Sequence, residues 1–320
     1  MQEEIILTQF AKDILDGLSA NQKHLSSKYF YDDEGSRIFQ QIMRMPEYYL
    51  TDCELEIFET QKQDILNAIS EKDSSLELIE LGAGDGLKTK ILLSHFLAQK
   101  CNFKYIPIDI SGDAVNNLVN DLNIELPDLK TQGKVGDYFQ LIDKINKTQN
   151  IRKVLLFLGS NIGNYKEGEA LGFLNQLKSV MHPGDLLFIG FDLKKDPATI
   201  LNAYNDPHGH TARFNLNLLQ RINRELNADF DLDSFKHQEV YNPESGRAES
   251  FLISLKKQEI EIHDLDETVS FEKDEHIFME ISQKYDEEMI SDFAKKSGFE
   301  IVRNFYDQRL FYTNSLWKLK

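Results

Sequence analysis

Residues 78–86 read Leu-Ile-Glu-Leu-Gly-Ala-Gly-Asp-Gly, an apolar run through Glu80 followed by the closely spaced Gly82, Gly84 and Gly86. A backbone without side chains at those positions can turn sharply and come close to a ligand. Leu87 to Gln99 then shows the apolar spacing of a helix, so the order is strand, loop, helix. A dinucleotide fingerprint would be G-x-G-x-x-G, whereas this chain has E-x-G-x-G-x-G. Asp109 ends the next apolar strand, Phe103 to Ile110, where a carboxylate can accept both hydroxyls of a ribose. Asp137 follows a short Lys134-Val135 strand, where it can accept from an adenine amino group while Tyr138 offers a stacking face. Each carboxylate taken alone is more often a solvated strand end. Their order along successive strands is what points to a ligand, because open parallel sheets bind ligands beyond the carboxyl ends of their strands.

The elements that must position these residues alternate from about residue 57 to 196. Leu76 to Leu81, Phe103 to Ile110, Lys153 to Leu158 and Leu186 to Leu193 read as buried parallel strands of a doubly wound α/β core. The pattern then changes. Helical spacing over Thr199 to Tyr204 and Phe214 to Leu226 precedes one long alternating stretch, Glu249 to Ile262, in which Phe251, Ile253 and Leu255 share a face. This reads as an antiparallel module inserted into the first domain. Asp286 is placed to cap a helix closing at Gly298, and two final strands, Phe299 to Tyr306 and Leu310 to Leu319, would complete the first sheet. The division expected is 57–196 with 285–320 for the sheet domain, and 1–56 with 197–284 for the second.

The 320 residues can bury a large core, and 53 acidic against 36 basic residues give a net charge of −17. Such a field repels phosphate backbones and anionic lipid, so neither nucleic acid nor a membrane is an expected partner. Cys53 and Cys101 lack C-x-x-C spacing, and no early apolar stretch resembles a signal peptide or a membrane span, which fits a reducing cytoplasm. His208 and His210 have no carboxylate or cysteine at ligand spacing, so they read as a Gly/Pro loop and no metal is expected.

The glycine pattern resembles motif I of S-adenosylmethionine methyltransferases. A longer set of matches is more specific. Lys28-Tyr-Phe-Tyr-Asp-Asp-Glu-Gly-Ser36, Met45-Pro-Glu-Tyr-Tyr49, Phe157-Leu-Gly-Ser-Asn-Ile-Gly-Asn164, Ala203-Tyr204, Phe214-Asn-Leu-Asn-Leu-Leu219, Asn223-Arg-Glu-Leu226, Ala228-Asp-Phe230 and Glu280-Ile-Ser282 occur in order along nearly the whole chain. In this the chain resembles the histidine Nα-methyltransferase family of ergothioneine biosynthesis. The resemblance implies a Rossmann-like class I methyltransferase core with an inserted α+β substrate-binding domain, acting as a monomer on L-histidine with S-adenosylmethionine as cofactor. It further implies that Tyr48 contacts the imidazole, that Asn164 and Tyr204 hold the substrate carboxylate with Thr211 at that end, and that Glu280 and Ser282 hold the far side of the imidazole. Tyr31 would lie close to the reacting amine. Gly82, Gly84, Gly86, Lys88, Asp109, Asp137 and Tyr138 fall at cofactor positions.

Independently of the family, a strand over Met279 to Lys284 would point Glu280 and Ser282 to one face, able to receive the two-ended imidazole, while Met279 and Ile281 pack inward. The strand alone reads better as an exposed polar face, and only the surrounding matches reverse that. Three positions depart from the family pattern. Asp85 replaces a threonine or serine, Asn161 replaces a threonine near the substrate, and Ser250 stands where bacterial relatives carry methionine beside the imidazole. The last keeps open a wider aromatic amino acid such as a tryptophan derivative. A catalytically silent member, or one working with a partner chain, is the other alternative. Histidine is the first choice because Glu280 and Ser282 are both present.

Overall fold

The computed structural model describes residues 8–70, 75–146 and 151–320. The chain divides into two compact units, Leu50–Lys194 with Gln283–Lys320 and Met1–Tyr49 with Lys195–Ser282. Residues 1–7 and 71–74 of the spans expected from sequence, and 147–150, lie outside the description. Elements are numbered in chain order.

The larger unit is built on one sheet. Its strands are β1 (Leu76–Leu81), β2 (Phe103–Asp109), the short β3 (Lys130–Thr131) and β4 (Lys134–Val135), β5 (Arg152–Phe157), β6 (Leu186–Asp192), β12 (Phe299–Tyr306) and β13 (Tyr312–Leu319). The order is β12-β13-β6-β5-β1-β2-β3, with β4 also paired to β2. β1, β2, β5 and β6 run parallel, and β13 turns back antiparallel on β6 and pairs with β12. This is the doubly wound α/β sheet, closed by a C-terminal strand pair, that the alternation of elements led us to expect. Every residue of β1 and β6 is buried, which is why these strands carry apolar residues on both faces rather than alternating, with Glu77, Glu80 and Asp192 the buried exceptions. Helices α3 (Tyr49–Ile69), α4 (Thr89–Ala98), α5 (Gly112–Glu125), α6 (Tyr138–Asn146), α7 (Glu167–Ser179) and α10 (Glu287–Ser297) accompany the sheet. Their ends follow local chemistry. Ser111 caps α5 by accepting from Ala114 N (3.2 Å), Asp286 caps α10 by accepting from Met289 N (2.9 Å), and Gly298 closes α10 at φ +82°. Because α3 continues helically from Tyr49 to Ile69, residues 50–56 travel with the sheet unit.

The smaller unit holds α1 (Gln9–Ser19), α2 (Asp33–Ile42), α8 (Pro197–Tyr204) and α9 (His210–Leu226). Its strands are β7 (Phe235–Asn242), β8 (Arg247–Ser254), β9 (Gln258–Ile262), β10 (Glu267–Phe271) and β11 (His276–Gln283), in a β11-β8-β7 sheet and a β9-β10 pair. Ile14, Leu18, Phe30, Leu218, Leu252 and Met279 belong to its core.

The alternating stretch read over 249–262 is two strands, β8 and β9. The Ser254 hydroxyl donates to Lys256 O (2.8 Å) and accepts from Gln258 Nε2 (2.6 Å), so the chain turns there and leaves Leu255 45% exposed. In β8 the buried face carries Ala248, Ser250, Leu252 and Ser254, while Phe251 lies half-buried against Phe278 with ring centroids 5.7 Å apart. No helix among the described residues is long and apolar enough to cross a membrane.

Candidate active site

In the larger unit the glycine loop leaves β1 at the carboxyl edge of the sheet. Gly82, Gly84 and Gly86 adopt φ of +73°, +53° and +65°, a region that side chains disfavour. A Cβ on Gly86 would lie 2.5 Å from Leu118 Cδ1 and one on Gly82 3.1 Å from Tyr138 Oη, whereas nothing lies within 4 Å of that position on Gly84. A side chain at Gly86 would have to displace the Leu118 side chain, whereas Gly84 leaves open backbone for a ligand.

Asp109, at the end of β2, ties this loop. Its Oδ2 accepts from Gly84 N (3.2 Å) and its Oδ1 from Ser111 N (3.0 Å). Asp137 is exposed and accepts from Gln140 N (3.1 Å) at the start of α6. Tyr138 follows it, with a hydroxyl pushed above its ordinary pKa by burial. Open backbone at Gly84, a strand-end carboxylate and a neighbouring aromatic ring match the chemistry of an adenosine-bearing cofactor.

Lys88 gives its ammonium to Glu54 on α3. Sequence reading did not single out Glu54. It sits among Leu50, Ile57 and Phe58 on the buried stripe of α3, and a charge on an apolar helical stripe was the available signal. Glu80 is a second such residue. It is fully buried, accepting from Thr89 Oγ1 (2.7 Å) and Tyr105 Oη, and burial pushes its carboxyl up to about 7. Asn164 ends a 3₁₀ turn, Asn161–Asn164, just beyond β5. That turn packs tightly, since a Cβ on Gly163 would meet Gln283 O at 2.9 Å.

In the smaller unit, four of the expected residues join in one row. Tyr31 meets Phe39 edge-on at 5.5 Å, Phe39 meets Tyr48 at 6.2 Å and Tyr48 meets Tyr204 at 6.1 Å. Tyr204 Oη lies 2.9 Å from Ser282 Oγ. Along β11 burial alternates, with Met279 and Ile281 buried and Glu280 and Ser282 half-buried on the other face. Thr211 stands apart from the row, at the start of α9, where its N–H donates to Asp206 Oδ1 (2.8 Å). Burial pushes the Asp206 carboxyl up, but the N–H groups of Thr211 and His210 outweigh it and hold the group below its ordinary range.

His237, also missed from sequence, is buried on β7 with Nε2 3.0 Å from Tyr204 O. A carbonyl can only accept, so Nε2 carries the proton, and burial holds the imidazole below its ordinary pKa. Ser250 donates to Glu239 Oε2 (2.6 Å) across the β7–β8 pair. Among the described residues no group of three or more His, Cys, Asp or Glu is arranged to hold a metal.

The family described as histidine-specific methyltransferase, SAM-dependent, matches residues 10–319. The chain belongs to that family. The histidine N-alpha-methyltransferase of Mycobacterium tuberculosis (strain CDC 1551 / Oshkosh) is 35% identical over 297 residues, covering 93% of this chain and 91% of that protein. Its namesake from Mycolicibacterium smegmatis is 35% identical over 285 residues, covering 89% and 87%. Ergothioneine biosynthesis protein 1 of Schizosaccharomyces pombe is 27% identical over 293 residues, which span 90% of this chain and 38% of that longer protein. As a member of this methyltransferase family the chain is an S-adenosylmethionine-dependent enzyme, and the glycine loop with Asp109 and Tyr138 fits that cofactor.

Proposed function

We propose that the enzyme methylates the α-amino group of L-histidine, through to the trimethylated betaine, hercynine. The observation that carries this reading is the polar face of β11, where Glu280 and Ser282 stand side by side and the Ser282 hydroxyl already bonds Tyr204. A carboxylate and a hydroxyl two residues apart on one strand face suit the two nitrogens of an imidazole, while the Tyr48 ring covers its plane. Tyr204, Thr211 and Asn164 take the carboxylate end. Gly82, Gly84, Gly86, Lys88, Asp109, Asp137 and Tyr138 take the donor, with Lys88 at its amino-acid end and Asp109 at the ribose.

Bound there, S-adenosylmethionine supplies a methyl group already activated on a sulfonium. The work left to the side chains is to hold a neutral amine in line and close. Proximity and alignment are worth on the order of 7 to 11 kcal/mol, more than the 10²- to 10⁴-fold of one general base. No residue is therefore assigned as an obligatory base. Tyr31, 39% exposed, orients the amine, and water takes the proton.

Incubating the protein with S-adenosylmethionine and each of the twenty amino acids, followed by mass spectrometry, tests the reading. Histidine should gain one, two and then three methyl groups. Glu280→Ala should cut histidine kcat/KM by roughly 1.5 to 3 kcal/mol, about one to two orders of magnitude, and slow any phenylalanine or tryptophan turnover much less. Equal losses with all three rings would make Glu280 a residue of the fold and remove the case for histidine.

A further inference from the structure

We infer that Glu54 is a positioning residue for the amino-acid end of the donor, because one buried carboxylate fixes both the Lys88 ammonium and the Gly159 amide. The inference rests on the placement of Lys88 at that end, proposed above. Glu54 is fully buried, and its partners among the described residues belong to the larger unit. It accepts from Lys88 Nζ, from Gly159 N (3.0 Å), from Tyr312 Oη (2.9 Å) and from Asn314 Nδ2 (2.7 Å). A buried carboxylate is costly unless it is paired and saturated with donors, and this one is both.

The four partners divide by location. Tyr312 and Asn314 lie on β13, and joining α3 to that strand would need no charge. Lys88 and Gly159 lie at the carboxyl edge, one closing the glycine loop and the other following β5. They come together closely. Gly159 has φ +71°, and a Cβ there would lie 3.5 Å from Lys88 Nζ and 3.9 Å from the Asn161 amide. The same amide is 3.8 Å from the corresponding point on Gly82. An ammonium, a side-chain amide and open glycine backbone therefore meet at one spot, a set that suits an α-amino acid group. A lysine on its flexible stem would otherwise sample many rotamers, and the bond to Glu54 has already removed that freedom before ligand arrives.

Two ligands separate positioning from folding. S-adenosylhomocysteine carries the amino-acid end, and 5′-methylthioadenosine shares the adenosine but lacks that end. By calorimetry, Glu54→Gln should bind S-adenosylhomocysteine about tenfold more weakly while methylthioadenosine stays within about twofold. Glu54→Asp keeps the charge but retracts it by one methylene. It should show the same selective loss, and it decides the matter should the glutamine variant fail to fold. Lys88→Met should weaken S-adenosylhomocysteine as well, and adding Glu54→Gln to it should weaken binding no further.

Glu54 variants that bind S-adenosylhomocysteine like the parent, or that lose both ligands in equal proportion, overturn the inference. If Lys88→Met itself leaves S-adenosylhomocysteine binding unchanged, the placement of Lys88 fails and this inference falls with it. If Lys88→Met weakens binding and the Glu54 variants do not, only the inference fails.

Discussion

Replacing Glu80 with glutamine should flatten the pH dependence of stability between 4.5, the ordinary value of its carboxyl, and about 7, its value in the fold. Burial raises the group, and the hydroxyls of Tyr105 and Thr89 pull it only partly back. Within that window the native protein holds a proton that the unfolded chain releases. The stability this provides is complete below 4.5 and is lost as pH rises through about 7. Each unit of pKa corresponds to about 1.36 kcal/mol, so the loss across the window comes to about 3 kcal/mol. Glutamine is uncharged throughout and of nearly the same shape. Urea unfolding of both proteins, followed by fluorescence of the lone and fully buried Trp317, measures the difference in the unit that contains Glu80. The gap between parent and variant should move by about 3 kcal/mol in favour of the variant as pH rises across the window. Tyr105→Phe removes a donor that favours the ionised form, so it should carry the upper edge of the window higher. Parallel pH curves for parent and Glu80→Gln would refute the reasoning and mean that the carboxyl is ionised throughout.

Three further outcomes are expected. Asp109→Ala removes both the proposed ribose acceptor and the acceptor for Gly84 N, so S-adenosylhomocysteine should bind at least about tenfold more weakly by calorimetry. Tyr204→Phe and Asn164→Ala should each raise the histidine KM while S-adenosylhomocysteine affinity holds, and the reverse pattern would move these residues from substrate to donor. Gly86→Ala combines positive φ with a Cβ 2.5 Å from Leu118, so it should lower stability by more than the roughly 1 to 2 kcal/mol expected from backbone strain alone at Gly84→Ala. Equal losses in urea unfolding would show that Leu118 yields at little cost.

The sheet and its glycine loop were legible in the sequence alone. Strands buried on both faces are predominantly apolar, so β1, β2, β5 and β6 announce themselves despite the occasional buried charge such as Glu80, and three glycines at positive φ leave a pattern that few other residues could supply. The α10 cap at Asp286 and its stop at Gly298 are likewise local chemistry. So is the β11 alternation that sets Glu280 beside Ser282. Tertiary structure alone decided what depends on distant partners. Glu54 reads as one more acidic residue until Lys88, Gly159, Tyr312 and Asn314, which lie 34 to 260 residues away, converge on it. His237 becomes a support for Tyr204 only through a carbonyl 33 residues distant, and Ser254 breaks a seemingly continuous strand through bonds that period-two alternation does not encode. Hydrophobic periodicity records which face of an element is buried, whereas the pairing of buried polar groups is fixed only when the elements pack, because any donor brought within reach can satisfy the same acceptor.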